Sequence, residues 1–339
     1  MTATVAAVAA DFTLRWSQLP ALPDAEGFAS PYGGISHGAL IVAGGANITD
    51  DKWATPPIKQ WYDPAFVLER PDGTWKSGFK LPRVCGYGVS VSVDDRLICI
   101  GGSDSKQHFA DVFSLEWKDG ALQTRKLPAL PVPCANGCGA LMGRTIYVAG
   151  GIETPMSTEA LKTFWALNMD SLEAGWQKLE PWPGPARMLA VAGVREGSFY
   201  LFSGTDLHAD AEGKPAREYL RDAYRFTPGE GWKRLADLPR AAVAAPSPAL
   251  ASDSGLVVIS GDDGMNTAFQ PVKEHPGFPR NALLYAPESD TWSLLPETPL
   301  SRATVPVVTW KDRFVIPNGE TRPRVRTPEV WSVQVPEQP

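Results

Sequence analysis

The chain has 339 residues, 43% of them hydrophobic, so it is long enough to bury a large core. A formal net charge of −6 argues against a general nucleic-acid surface, and no stretch approaches the length of a membrane span. The opening MTATVAAVAA is apolar but has no basic residue, so the sequence as written predicts a cytoplasmic protein. Removal of a signal peptide would instead make the protein periplasmic.

One unit recurs six times along the chain. Each copy is an apolar run that ends in Gly and is followed by a polar residue, as in LIVAGGAN and LICIGGSD. A third apolar run follows each copy, and a fourth element with Trp and Leu-Pro follows most of them. The second Gly of the copies falls, 49–58 residues apart, at positions 45, 102, 151, 204, 261 and 319. Four strands per repeat, arranged radially, make a propeller blade, so the predicted fold class is an all-β, six-bladed β-propeller.

The last repeat lacks its fourth strand at the C-terminus. The segment FTLRWSQLPALP at 12–23 carries the Trp and Leu-Pro of such a strand. We therefore predict one domain over 12–336, in which residues 12–19 complete the last blade and close the ring. The double-Gly and Trp signature resembles the kelch repeat over nearly the whole chain.

Several connections between second and third strands are long and should wall a pocket at the mouth of the central channel. These connections span 46–61, 152–162, 205–222 and 262–281. Two residues past the second Gly, most blades carry a polar residue that we interpret as turn chemistry. These residues are Asn47, Asp104, Glu153, Asp206 and Asp263. Glu320 breaks this pattern because it follows its Gly directly, which turns its side chain to the opposite face. Asp262 shares that offset.

Arginines form a second pattern. Four of them open first strands, just after Leu-Pro or its equivalent: Arg83, Arg187, Arg240 and Arg302. Each could pair with an acid of a neighbouring blade. As a group at one channel mouth, they favour a shared anionic ligand, because Arg holds a carboxylate in a bidentate fork. We therefore predict that they converge with Arg326 on a pocket for a sugar carboxylate.

The segment NGETRPRVRTPEVW at 318–331 resembles the active-site segment of the N-acetylneuraminate epimerases, or sialic acid mutarotases, which are six-bladed kelch propellers. The resemblance implies that Glu320 is the proton acceptor and that Arg326 is its companion. The stretches GGISHGALIVAGGAN at 33–47 and YGVSV at 87–91 resemble the same family in a cyclically permuted order. Asn47 and Lys59, in and between them, are further candidates for substrate binding.

Mutarotation of an acidic 2-keto sugar needs one positioned base and a proton donor, so we expect no cofactor and no metal. The expected partner is a small anionic sugar such as sialic acid, not nucleic acid or membrane. A non-catalytic kelch scaffold that binds a protein or glycan is the main alternative, and it predicts exposed apolar loop tips. A glycoside hydrolase would need two facing carboxylates, which Glu320 with Asp262 or Asp104 could supply. A copper-radical oxidase is disfavoured because the four His are scattered singly.

Overall fold

Six four-stranded antiparallel sheets account for most of the chain in the computed structural model, which describes residues 12–48 and 51–336. We number the blades in chain order and give the strands from the channel outwards. Blade 1 contains Tyr32–Ser36, Ala39–Asn47, Gln60–Leu68 and Lys76–Lys80. Blade 2 contains Val89–Val93, Arg96–Ile100, Val112–Lys118 and Ala121–Leu127. Blade 3 contains Cys138–Met142, Thr145–Ala149, Phe164–Asn168 and Gln177–Leu179.

The second half of the chain repeats this order and adds two hairpins. Blade 4 contains Val191–Arg195, Ser198–Phe202, Ala223–Thr227 and Gly231–Leu235, with a hairpin of Thr205–Ala209 and Pro215–Tyr219. Blade 5 contains Leu250–Ser252, Gly255–Ile259, Asn281–Ala286 and Thr291–Glu297. Blade 6 contains Val308–Trp310, Arg313–Pro317, Val330–Gln334 and Arg15–Leu19, with a hairpin of Glu320–Arg322 and Val325–Arg326. Two short 3₁₀ turns lie at Leu172–Ala174 and Val272–Glu274. Among the described residues no helix is long and apolar enough to cross a membrane.

The apolar second strands are buried on both faces, which explains why they do not alternate with polar residues. In blade 1, Ile41 packs into the core shared with blade 2, whereas its neighbours Leu40 and Val42 pack into the core shared with blade 6. In blade 2, Leu97 and Ile98 divide in the same way between two cores. The hydrophobic core of the protein is therefore a set of layers between neighbouring blades.

The second Gly of each pair has a backbone that other residues rarely adopt. Its φ lies between 80° and 106° in all six blades. At Gly319 an added Cβ would also stand 2.9 Å from Cδ of Arg302 and 3.1 Å from the carbonyl oxygen of Ala303. The Gly of the repeat is thus required by the turn and by the close approach of the segment that leads into the first strand of the same blade.

The N-terminal strand closes the ring, as predicted. Arg15–Leu19 pairs antiparallel with Val330–Gln334, and Ser17 and Ser332 are joined through their hydroxyls at 2.8 Å. Phe12, just before the strand, is buried in the core between blades 5 and 6. Closure therefore depends on a contact between the two ends of the chain.

A circle of six backbone hydrogen bonds surrounds the channel. One non-Gly residue per blade has φ between 46° and 64°, and its N–H donates to the carbonyl of the matching residue in the preceding blade, at 2.6–2.9 Å. The six residues are Ser30, Tyr87, Asn136, Leu189, Ala244 and Thr304. All six line the central cavity. The circle is complete only when blade 6 meets blade 1.

Removal of the closing strand should destabilise the whole ring. A chain that begins at residue 21 loses Phe12 and Arg15–Leu19, which exposes one edge of blade 6 and part of its core. We expect a clear fall in the denaturant midpoint, measured by tryptophan fluorescence. A chain that begins at residue 10 is the matched control and should keep the midpoint of the full chain. Equal midpoints for both truncated chains would contradict this role of the strand.

Candidate active site at the channel mouth

The residue after each second Gly lies beside the hydrogen-bonded circle. In every blade it forms a β-bridge with the residue that precedes the circle residue. In blade order these positions are Ala46, Ser103, Ile152, Thr205, Asp262 and Glu320. Only the last two are acidic, and they belong to neighbouring blades. The one-residue offset of Glu320 in the sequence therefore corresponds to a place at the mouth of the channel.

The residues one position further on accept backbone N–H groups in four blades, but only Asp104 and Asp263 do so in turns, because Asn47 and Asp206 lie in paired strands. The backbone N–H groups of Lys106 and Gln107 both donate to Oδ1 of Asp104. Asp206 and Asp263 each accept one backbone N–H at Oδ1. Asn47 is 2% exposed, and its amide donates to the carbonyl of Gly27 and accepts from the next N–H, both at 2.7 Å. This corrects the expectation that Asn47 binds substrate, because its amide is occupied by backbone groups. In the described ranges no three His, Cys, Asp or Glu side chains are grouped to hold a metal.

Glu320 and Arg326 form the central pair of the site. They face each other across the short hairpin of blade 6, with Glu320 Oε1 3.3 Å from Arg326 Nη1. The Glu320 side chain is 15% exposed and that of Arg326 only 3%. Nε and Nη1 of Arg326 have no hydrogen-bond partner among the described residues. A nearly buried cation with free donors thus lies beside a carboxylate that solvent can still reach.

The three arginines on alternate positions of this hairpin have different partners. Arg322 Nη1 donates to the carbonyl of Lys273 at 2.6 Å, which ties the hairpin to the long loop of blade 5. Arg324 Nη1 donates to the carbonyls of Lys52 and Ala54 at 3.1 and 2.9 Å, in the loop of blade 1. The Arg324 backbone N–H also donates to Glu320 Oε1 at 2.7 Å. No local pattern predicts these partners of Arg324, because they lie 272 and 270 residues away in the chain.

Behind Glu320 lies a group of buried polar side chains with few partners. Arg302 is 1% exposed and donates through Nη2 to Glu329 Oε2 at 3.2 Å, while its Nε and Nη1 lack partners within the described chain. Burial lowers the pKa of Arg302, against the opposing effect of Glu329. Asn318 is fully buried, and neither its amide oxygen nor its nitrogen has a partner in the described residues.

The other first-strand arginines are engaged elsewhere. Both terminal nitrogens of the fully buried Arg187 bind Asp222, at 2.9 and 2.7 Å. Arg83 lies on the surface with Asp111, 3.0 Å away. Arg240 donates to Asn281 and to three backbone carbonyls. This corrects the expectation of one shared pocket, because each guanidinium is held by neighbouring groups of the propeller.

Lys59 reaches the circle at the channel. Its ammonium lies 3.8 Å from the ring centre of Tyr87 and 5.1 Å from that of Trp61. Trp61 in turn donates through Nε1 to Ser103 Oγ at 3.2 Å, so the loop of blade 1 leans over blade 2. The amine is held by aromatic faces, and no described carboxylate pairs with it. Lys59 thus supplies a second cation at the mouth.

The loop tips around the mouth expose large apolar side chains. Met156 is 85% exposed, Met265 81%, Ile58 64% and Trp53 38%. All four lie in connections between second and third strands. Exposed apolar tips are what a protein-binding scaffold predicts, and the mouth has them together with its acids and arginines.

Fold and site together define a class of protein: a kelch-type six-bladed β-propeller with an acid and an arginine paired at its channel mouth. The model of the N-acetylneuraminate epimerase family matches residues 1–124 and 127–270. The chain belongs to the N-acetylneuraminate epimerase family. Glu320 and Arg326 lie outside the matched residues, so their roles depend on geometry and on the resemblance of their own segment.

Individual relatives agree with this assignment at modest identity. An N-acetylneuraminate epimerase of Yersinia pestis (strain Pestoides F) is 30% identical over 233 residues, which cover 60% of this chain and 56% of that protein. One of Haemophilus influenzae (strain 86-028NP) is 26% identical over 226 residues, which cover 60% and 57%. The matches thus span little more than half the length of these relatives. A solved structure, "Structure of YjhT", shares the fold with a TM-score of 0.69 at 15% identity, covering 94% of this chain and 99% of that one.

Proposed function

We propose that the protein is a mutarotase that interconverts the α and β anomers of N-acetylneuraminate or a related acidic sugar. The observation that carries the proposal is the Glu320–Arg326 pair, in which a partly exposed carboxylate lies 3.3 Å from a buried guanidinium with unpartnered donors. The family and the names of the relatives support the same chemistry.

In the proposed reaction Glu320 is the general base. The Glu320 carboxylate takes the proton of the anomeric hydroxyl. The bond between C2 and the ring oxygen then breaks, and the electron pair of that bond goes to the ring oxygen. That oxygen takes a proton from water or another donor, and C2 becomes a ketone. Rotation about the neighbouring carbon–carbon bond lets the hydroxyl attack the other face of C2, and both protons return. No net oxidation or group transfer occurs.

The cations of the mouth would bind and orient the sugar carboxylate. Arg326 lies beside Glu320 and has nitrogens without a hydrogen-bond partner among the described residues, and Lys59 is presented over Tyr87. A guanidinium fixes a carboxylate through two parallel hydrogen bonds, which sets the orientation of C2 towards the base. Arg302 is about as buried as Arg326 and already donates to Glu329, so it would support the site and not bind the sugar directly.

The test is exchange spectroscopy by proton NMR on the two anomers of N-acetylneuraminate, with and without protein. We expect anomer exchange to be accelerated in proportion to protein concentration, because one general base alone typically contributes about 10²–10⁴-fold. Heat-denatured protein at the same concentration is the control. An exchange rate equal to that in buffer would refute the proposed activity.

A second candidate is binding of a protein partner at the mouth, which the exposed apolar tips of three loops favour. Met156, Met265 and Ile58 would then be contact residues instead of rims of a sugar pocket. The same NMR measurement separates the two candidates, since a scaffold would leave the anomer exchange rate unchanged.

A further inference from the structure

A tyrosine and an aspartate from two different blades form a second polar pair at the mouth. Tyr219 ends the hairpin of blade 4, where it pairs in register with Thr205, the mouth residue of that blade. Its hydroxyl donates to Oδ2 of Asp262, the mouth residue of blade 5, at 2.8 Å. The Tyr219 ring packs over Gly264, where an added Cβ would stand 2.9 Å from the ring.

This pair is next to Glu320. Asp262 and Glu320 occupy the same bridge position in neighbouring blades, opposite Val243 and Ala303. The two blade segments are linked one residue away from these bridges, where the N–H of Gly261 donates to the carbonyl of Arg302 at 3.0 Å. Both side chains are partly accessible. Asp262, and with it the Tyr219 hydroxyl, therefore lies at the position of the neighbouring blade that is equivalent to that of the proposed base.

The direction of the hydrogen bond fixes what Tyr219 can offer to a ligand. A phenol has one proton, and here that proton goes to Asp262, so only the oxygen lone pairs remain. Oδ1 of Asp262 accepts from the N–H of Gly264 at 3.0 Å, which leaves this carboxylate as a pure acceptor as well. Burial, and then the hydrogen bond to Asp262, raise the pKa of Tyr219, so the phenol keeps its proton at neutral pH.

We propose that Tyr219 and Asp262 form the acceptor side of the sugar site, where they bind a hydroxyl or amide N–H of the substrate. The inference rests on the proposed function. The negative charge of Asp262 repels the sugar carboxylate, whereas Arg326 and Lys59 attract it, so the two sides of the mouth orient the ligand in one direction. The substrate class is thus an acidic sugar with a hydrogen-bond donor placed away from its carboxylate.

The test measures the dissociation constant of N-acetylneuraminate by isothermal titration calorimetry. Tyr219→Phe keeps the ring over Gly264 and removes the hydroxyl, which is both the proposed acceptor for the ligand and the donor to Asp262, so binding should weaken about three- to tenfold. Asp262→Asn should also weaken binding, because its amide can donate to the phenol oxygen and turn the Tyr219 proton towards the ligand. If Asp262 only repelled the anion, the same variant would bind more tightly.

Tyr285→Phe is the matched control. Tyr285 also donates to an aspartate, Asp290, at 2.7 Å, but in the turn between the outer strands of blade 5, at the other end of the propeller. It should not change the dissociation constant. Thermal unfolding confirms that each variant is folded. If either Tyr219→Phe or Asp262→Asn fails to fold, the binding result of the other variant tests the inference. Unchanged binding by Tyr219→Phe, or tighter binding by Asp262→Asn, overturns the inference. A wild-type protein without anomer exchange overturns the proposed function instead.

Discussion

Replacement of Glu320 by Gln should reduce enzyme-dependent anomer exchange about 100-fold or more, the effect expected for loss of a general base. Gln keeps the shape of the side chain and can still accept the N–H of Arg324, but it cannot take up a proton at neutral pH. The fold and the affinity for N-acetylneuraminate should change little. Exchange spectroscopy on folded variant protein, with calorimetry for binding, measures both quantities.

Asp104→Asn is the control for this experiment. Its carboxylate accepts two backbone N–H groups in a turn of blade 2, and the amide oxygen of Asn can accept them as well. Its exchange rate should remain near that of the wild type. If Glu320→Gln kept a similar rate, the base would be another residue, and Asp262 would be the next to replace.

Replacement of Arg187 by Met should lower the free energy of unfolding by about 3–5 kcal/mol, as for other buried ion pairs that lose one partner. The change leaves the Asp222 carboxylate, 11% exposed, without its cation. Urea denaturation followed by tryptophan fluorescence measures the loss. Added Asp222→Asn should restore much of it, because the stranded charge is removed.

The exposed pair of Arg83 and Asp111 provides the contrast. Both side chains are about half exposed, so Arg83→Met should cost less than about 1 kcal/mol. If Arg187→Met left stability unchanged and weakened sugar binding, Arg187 would be a ligand residue after all.

The pH dependence of stability gives an independent check on the Arg187–Asp222 pair. Burial alone would raise the pKa of Asp222, but the hydrogen bonds and charge of Arg187 outweigh it and hold the pKa below its usual value.

The sign of the pH effect follows from that lowered pKa. A carboxyl with a lower pKa in the folded state stabilises the protein fully above its unfolded pKa of about 3.9. This contribution is lost as the pH falls further through the folded pKa. The stability difference between wild type and the Arg187→Met, Asp222→Asn double variant should therefore shrink in acid.

The sequence by itself determined the architecture. Six Gly-ended apolar runs predicted six blades. Each second strand is apolar because it is buried on both faces, and each second Gly is needed because its backbone is left-handed. Both requirements act within a few residues, so they are visible in the sequence. The fourth strand missing from the last repeat likewise predicted closure by Arg15–Leu19. The offset of Glu320 was visible because a strand alternates its faces with a period of two.

Only the tertiary structure decided which charges meet. Arg187 and Arg302 open equivalent strands, yet both terminal nitrogens of Arg187 bind Asp222, whereas two of the three nitrogens of Arg302 have no partner in the described chain. Tyr219 and Asp262 are 43 residues apart and belong to different blades, so no local pattern joins them. Partners of this kind depend on how neighbouring blades lean over one another at the mouth. That arrangement is fixed by packing between the sheets and not by the periodicity within any one of them.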